Sequence, residues 1–165
     1  MISNPRKDEF KRETKIKTAL LGATGAVGQV FMWMLSDHPW FEITRISASE
    51  SRVGKKYGND VHWILPMEIP KNIQNITINS FDIDAMKAEG IKIVFSALPN
   101  PVAEKIEPAL IKAGFAVFSN VAAMRYEEDV PIMIPEANIE SLSWIEKQGY
   151  PEKGFIVTNA NCSTT

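Results

Sequence analysis

Cysteine is nearly missing from these 165 residues: the chain has one, Cys162, three positions from its last threonine. A single thiol closes no intramolecular disulfide, and with only His38 and His62 beside it there is no clustered Cys/His set for a metal. Charge of one sign is lacking as well. Lys and Arg number 18 against 20 Asp and Glu, and the formal net charge of -2 offers no basic field of the kind that sequence-independent nucleic-acid binding requires. Long hydrophobic runs are absent. The opening MISNPRKDEFKRETK has no apolar signal core, and the apolar run after it is too short to span a bilayer. These absences exclude a disulfide scaffold, a zinc module and a membrane span, and they fit a reducing, cytoplasmic setting without nucleic-acid or membrane partners. Residues 1–14 are expected to form a solvated arm.

What is present is an alternation. From Lys15 onward, KIKTALLGATGAVGQVFMWMLSDHP reads as a short apolar strand, a glycine turn and a helix. Val27, Val30, Phe31, Met34 and Leu35 follow the spacing of one buried helix face. FEITRISAS supplies a second strand. Residues 51–75 mix Gly, Pro and Asn with scattered apolar residues and are expected to be an excursion with little regular structure. ITINS, IKIVFSALP, FAVFSN, IMIPEAN and GFIVTN supply further candidate strands. Between them lie a short helix closed by Gly90, a helix from Pro101 to Gly114 bent or restarted at Pro108, and an amphipathic stretch, IESLSWIEKQ. Trp33, Trp40, Trp63 and Trp144 read as core or half-buried aromatics, and His38 as a cap for carbonyls at a helix end. Alternating strands and helices predict an α/β fold: a Rossmann-like, doubly wound, mostly parallel sheet with helices on both faces.

The turn GATGAVG sets Gly22, Gly25 and Gly28 three residues apart, directly between strand and helix. Backbone without side chains can turn sharply there and approach a pyrophosphate resting on the helix's exposed N–H groups, which predicts dinucleotide binding. At the end of the second strand stands ISASESR. Ser49, Ser51 and Arg52 suit a 2′-phosphate and favour NADP over NAD, while Glu50 is the competing candidate for ribose hydroxyls. Cys162 follows the last strand, where the start of a new helix would favour thiolate over thiol; the alternative is a small buried hydrophobe.

LGATGAVGQ, SASESRVGKKY, SALPN, MRYEEDVPIMIPEAN and NANCST together resemble the aspartate-semialdehyde dehydrogenases of archaeal and fungal type, in family order, from about Lys15 to the end. The resemblance implies an NADP-binding domain over residues 15–165, with Thr24, Gly25, Ala26 and Val27 at the pyrophosphate and Leu98 and Pro99 bordering the cofactor. It also implies Cys162 as the acyl-thioester nucleophile, Asn161 as a polar contact, and Arg125 as the phosphate-binding arginine. From the residues alone, the segment RYEED could equally make a surface ion pair. Ala160 departs from the family, which usually has proline there. The implied reaction converts 4-phospho-aspartate to aspartate 4-semialdehyde and phosphate, in a homo-oligomer whose substrate domain and acid/base histidine are not in this sequence. The 165 residues are therefore expected to lack turnover alone. A related reductase acting on malonyl-CoA and a noncatalytic NADP-binding module are the alternatives. A short-chain dehydrogenase is disfavoured, because Tyr57, Tyr126 and Tyr150 lack a lysine four residues on.

Overall fold

The apolar runs become strands that all point the same way. The computed structural model describes residues 14–161; Cys162 and nearly all of the expected arm lie outside the described residues. Among these residues the strands are β1 (Ile16–Leu21), β2 (Phe41–Ser47), β3 (Ile78–Asn79), β4 (Ile93–Ser96), β5 (Ala116–Ser119), β6 (Ile132–Met133) and β7 (Phe155–Asn159). Every pairing is parallel, in the order β3-β2-β1-β4-β5-β7-β6. The helices are α1 (Ala26–Leu35), α2 (Tyr57–Asp60), α3 (Lys71–Gln74), α4 (Ile83–Ala88), α5 (Asn100–Lys112) and α6 (Pro135–Asn138).

Side-chain alternation along the strands feeds two cores. Ala19 and Leu21 of β1, with Val94, Val117 and Ile156, pack with Met86 of α4 and Leu110 of α5. Their neighbours Leu20 and Phe95, with Ile43 and Ile46, face Met32 and Leu35 of α1, Tyr57 of α2 and Ile73 of α3. Helices therefore cover both faces, as the alternation predicted. Each fully buried aliphatic side chain contributes about 1.5–3 kcal/mol relative to exposure. Capping punctuates the helices where the sequence placed its signals: Asp82 accepts from the Ala85 N–H at 2.9 Å, and Gly90 takes the left-handed conformation, at φ 76°, that ends α4.

Several expectations are corrected. The buried face of α1 is Gly28, Gln29, Met32 and Leu35, whereas Val27, Val30 and Met34 are 46%, 40% and 60% exposed. Leu35 is buried and Phe31 packs half-buried against the same core, as expected; apolar residues occupy nearly the whole circumference of this helix, so periodicity alone placed only part of the stripe. Trp33, Trp40 and Trp144 are exposed, and only Trp63 is half-buried. The helix α5 passes through Pro108 without restarting. Residues Ile139–Glu146 form a 3-10 helix. His38 caps N–H groups, its Nδ1 accepting from Trp40 N at 3.2 Å and Phe41 N at 3.3 Å.

The chain runs from β1 outward to β2 and β3, then returns to lay β4 on the other side of β1. The β1/β4 boundary is thus the point where strand order reverses, and crevices at such points are where open α/β sheets collect ligands.

Candidate functional site

The glycine turn leaves β1 at this reversal. Gly22 N and Ala23 N both donate to the Ser47 carbonyl at 3.0 Å, which pins the turn to the end of β2, while Ala97 N donates to Leu21 O at 2.9 Å on the β4 side. Gly22 has φ 80°, and a Cβ on it would collide with the Ala97 carbonyl. Gly28 lies behind the turn, where a Cβ would meet the Gly22 carbonyl and the Ala23 backbone. Gly25 differs from both. Its φ is -75°, and an added Cβ would have only Gly22 O nearby, at 3.6 Å.

Gly25 is the N-cap of α1, contributes no side-chain cap, and the first turn holds no acidic residue. The first N–H groups of the ten-residue helix are therefore without a side-chain partner, and the helix dipole adds positive partial charge at that end. They open on a cavity of about 510 Å³ lined by Gly22, Thr24, Gly25, Ala26, Val27, Ala48, Ser49, Ala97, Leu98, Pro99 and Val102. Backbone donors at one wall and apolar side chains at the others fit a nucleotide, with its anionic pyrophosphate on the helix start and its rings against Leu98 and Val102.

Most of the residues singled out in the sequence meet here: Gly22, Thr24, Gly25, Ala26, Val27, Ser49, Leu98 and Pro99 line the cavity. Ser51 adjoins through its hydroxyl, 3.3 Å from that of Ser49. Arg52 is turned toward Asp60, donating to its Oδ2 at 2.8 Å and to its carbonyl at 2.7 Å, while Lys55 holds Asp60 Oδ1 at 2.8 Å. Hydrogen bonds from Lys55 and then Arg52 lower the Asp60 pKa. Arg125 is not on this cavity. It sits in the loop after β5, beside a smaller hollow of about 280 Å³ with Tyr126, Asn138 and Trp144, and its buried Nε has no hydrogen-bond partner among the described residues. Among the described residues it makes no ion pair with Glu127, Glu128 or Asp129. Asn161 is exposed just beyond β7.

Three residues that sequence reading missed hold this end of the sheet. Gln29, 2% exposed, donates through Nε2 to the carbonyls of Thr24 at 3.1 Å and His62 at 3.0 Å, and its Oε1 accepts from Ile64 N at 2.8 Å. Tyr57, fully buried, donates its hydroxyl to the Ala23 carbonyl at 2.9 Å. Glu107 is buried under β4 and β5, accepting from Ser119 Oγ at 2.6 Å. Burial raises its pKa against the opposing pull of that hydroxyl. A polar residue on an apolar helix was the available signal for Gln29; Glu107 is one of several charged residues on α5, and nothing local marked it or Tyr57.

A second cavity, of about 440 Å³, lies under β4, β5 and β7, with Phe31, Phe95, Phe118, Leu142, Ile145, Tyr150, Phe155 and Val157 in its walls. No helix among the described residues is long and apolar enough to cross a membrane.

The chain matches the family described as semialdehyde dehydrogenase, NAD binding domain, over residues 17–145. It is 48% identical over 155 residues to the aspartate-semialdehyde dehydrogenase of Archaeoglobus fulgidus, covering 91% of this chain and 43% of that protein. It is 39% identical to the malonyl CoA reductase (NADP) of Metallosphaera sedula, with 90% of this chain and 41% of that one covered. Among solved structures, aspartate semialdehyde dehydrogenase with NADP from Candida albicans superposes at a TM-score of 0.82 and 37% identity, over 92% of this chain and 44% of that one. The chain thus spans about 43% of the length of the archaeal relative. With the glycine turn, the parallel sheet and the reversal-point cavity in place, the chain belongs to the semialdehyde dehydrogenase family, of which it forms the NAD-binding domain.

Proposed function

We propose that this chain is the nucleotide-binding and nucleophile-bearing part of an NADP-dependent aspartate-semialdehyde dehydrogenase. The observation that carries the reading is the uncapped start of α1, opening with the glycine turn onto the cavity at the β1/β4 reversal. In this reading the backbone of Thr24–Val27 receives the pyrophosphate, and Ser49 and Ser51 receive the 2′-phosphate with Arg52 beside them. Leu98 and Pro99 border the cofactor. NADPH, when bound, supplies the hydride for reduction.

The chain's own chemistry rests on Cys162. Its thiolate attacks the acyl phosphate of 4-phospho-aspartate, the carbon–oxygen bond to phosphate breaks, phosphate leaves, and the acyl group stays on sulfur as a thioester until it is reduced to the semialdehyde. Arg125 is assigned to the phosphate group through its guanidinium fork and Asn161 to a polar contact with substrate or nicotinamide. A reducing, cytoplasmic setting and a homo-oligomeric whole enzyme belong to the same reading. Malonyl-CoA reduction is the second reading, supported by the Metallosphaera relative, and it uses the same thioester logic.

Calorimetric titration with NADP and NAD, followed by iodoacetamide labelling near neutral pH, tests the proposal. Tighter binding of NADP than NAD is expected, with Cys162 labelled rapidly at a rate that NADP alters. A slow thiol indifferent to NADP would point instead to a noncatalytic nucleotide module.

A further inference from the structure

The excursion between β2 and β3 passes beneath the glycine turn and grips it from below. Two consecutive carbonyls of that turn are held by buried side chains, Ala23 O by the Tyr57 hydroxyl at 2.9 Å and Thr24 O by Gln29 Nε2 at 3.1 Å. In a planar trans peptide the C=O and the following N–H point in opposite directions. Fixing the Ala23 carbonyl toward Tyr57 therefore turns the Thr24 N–H away from it, and Thr24 lines the cavity. The primary amide of Gln29 is fully used: both donors and the acceptor are engaged, and they tie the turn to His62 and Ile64. Tyr57 in turn packs edge-on against Trp63, with ring centroids 6.4 Å apart, so the excursion supplies the first grip and, through His62 and Ile64, braces the second, which α1 supplies.

We infer that Tyr57 and Gln29 are positioning residues for nucleotide binding, which hold the glycine turn with its Thr24 N–H presented to a pyrophosphate. The inference rests on the nucleotide reading above. Burial raises the Tyr57 pKa, so the phenol keeps its proton and remains a donor throughout the working pH range. Neither side chain lines the cavity, and their effect passes through the backbone they hold.

The test compares two ligands on the 165-residue chain: NADP, and 2′-AMP, which carries the adenine ribose and its phosphate but no pyrophosphate. Tyr57→Phe removes the hydroxyl and keeps the ring. At a temperature where the variant is fully folded, its NADP affinity is expected to fall about tenfold, the scale of one lost buried hydrogen bond, while 2′-AMP binds as in the wild type. A lower Tm with NADP affinity within twofold of wild type would overturn the inference, because that is what a merely structural hydroxyl would give. Equal weakening of both ligands would overturn it too. Should Tyr57→Phe fail to fold, Gln29→Met, which keeps size and removes the amide, carries the same comparison. Failure of the wild-type chain to bind NADP at all would instead bring down the nucleotide reading, and the inference with it.

Discussion

Gly25 and Gly28 are three residues apart and do different things. Gly28 is required by the fold, since a methyl there meets the Gly22 carbonyl and the Ala23 backbone. Gly25 has room for one within the protein, so a glycine is needed there only if something outside the protein comes close. Gly28→Ala is therefore expected to destabilise by about 1–3 kcal/mol, as overpacking does. Gly25→Ala is expected to leave Tm nearly unchanged and to weaken NADP. Thermal melts beside NADP titrations of the two variants check this, and a large drop in Tm for Gly25→Ala would count against the assignment. Glu107 makes a residue-scale prediction of another kind. Burial raises its native pKa above the ordinary 4.5, so the native state binds a proton that the unfolded state gives up. The associated stability is fully present below pH 4.5 and is lost as pH rises toward the native pKa. Melting curves of wild type and Glu107→Gln should diverge above pH 4.5, with the variant gaining; parallel curves across that range would refute the buried-acid account.

At the scale of elements, α1 shows both the reach of sequence reading and its limit. Its position after the glycine turn followed from an apolar strand, a glycine spacing and a helical period, all of them local signals. Its orientation did not, because AVGQVFMWML offers apolar residues on nearly every side, and the chosen face is the one where Gly28 permits close approach and Gln29 finds polar partners. Met32→Ala is expected to cost about 2–5 kcal/mol in denaturant unfolding, whereas Met34→Lys should fall within about 0.5 kcal/mol of wild type. The reverse order would restore the face read from the sequence. The excursion after β2 was opaque for a related reason. Its short helix α2 is tied through Tyr57, and the following loop through His62, to the glycine turn and the start of α1 some thirty residues earlier, and such partners leave no periodic trace.

Across the whole molecule, strand order converts scattered motifs into one site. The segments LGATGAVG, SASES and SALPN are separated by long stretches of chain, yet the return of the chain from β3 to β4 sets their strand ends side by side. The alternation of strands and helices made the fold class legible, and most of the residues singled out for the cofactor line one cavity. The partnering of Arg52 with Asp60 and the seat of Arg125 away from the cavity were not legible, because both depend on loop paths. The central claim is that the β1/β4 cavity holds the dinucleotide. Titrating NADP into isotopically labelled chain and following backbone amide resonances tests it most directly. The account predicts saturable shifts concentrated at Gly22–Val27, Ala48, Ser49, Ala97 and Leu98; no shifts, or shifts centred on the aromatic cavity around Phe95 and Phe118, would contradict it.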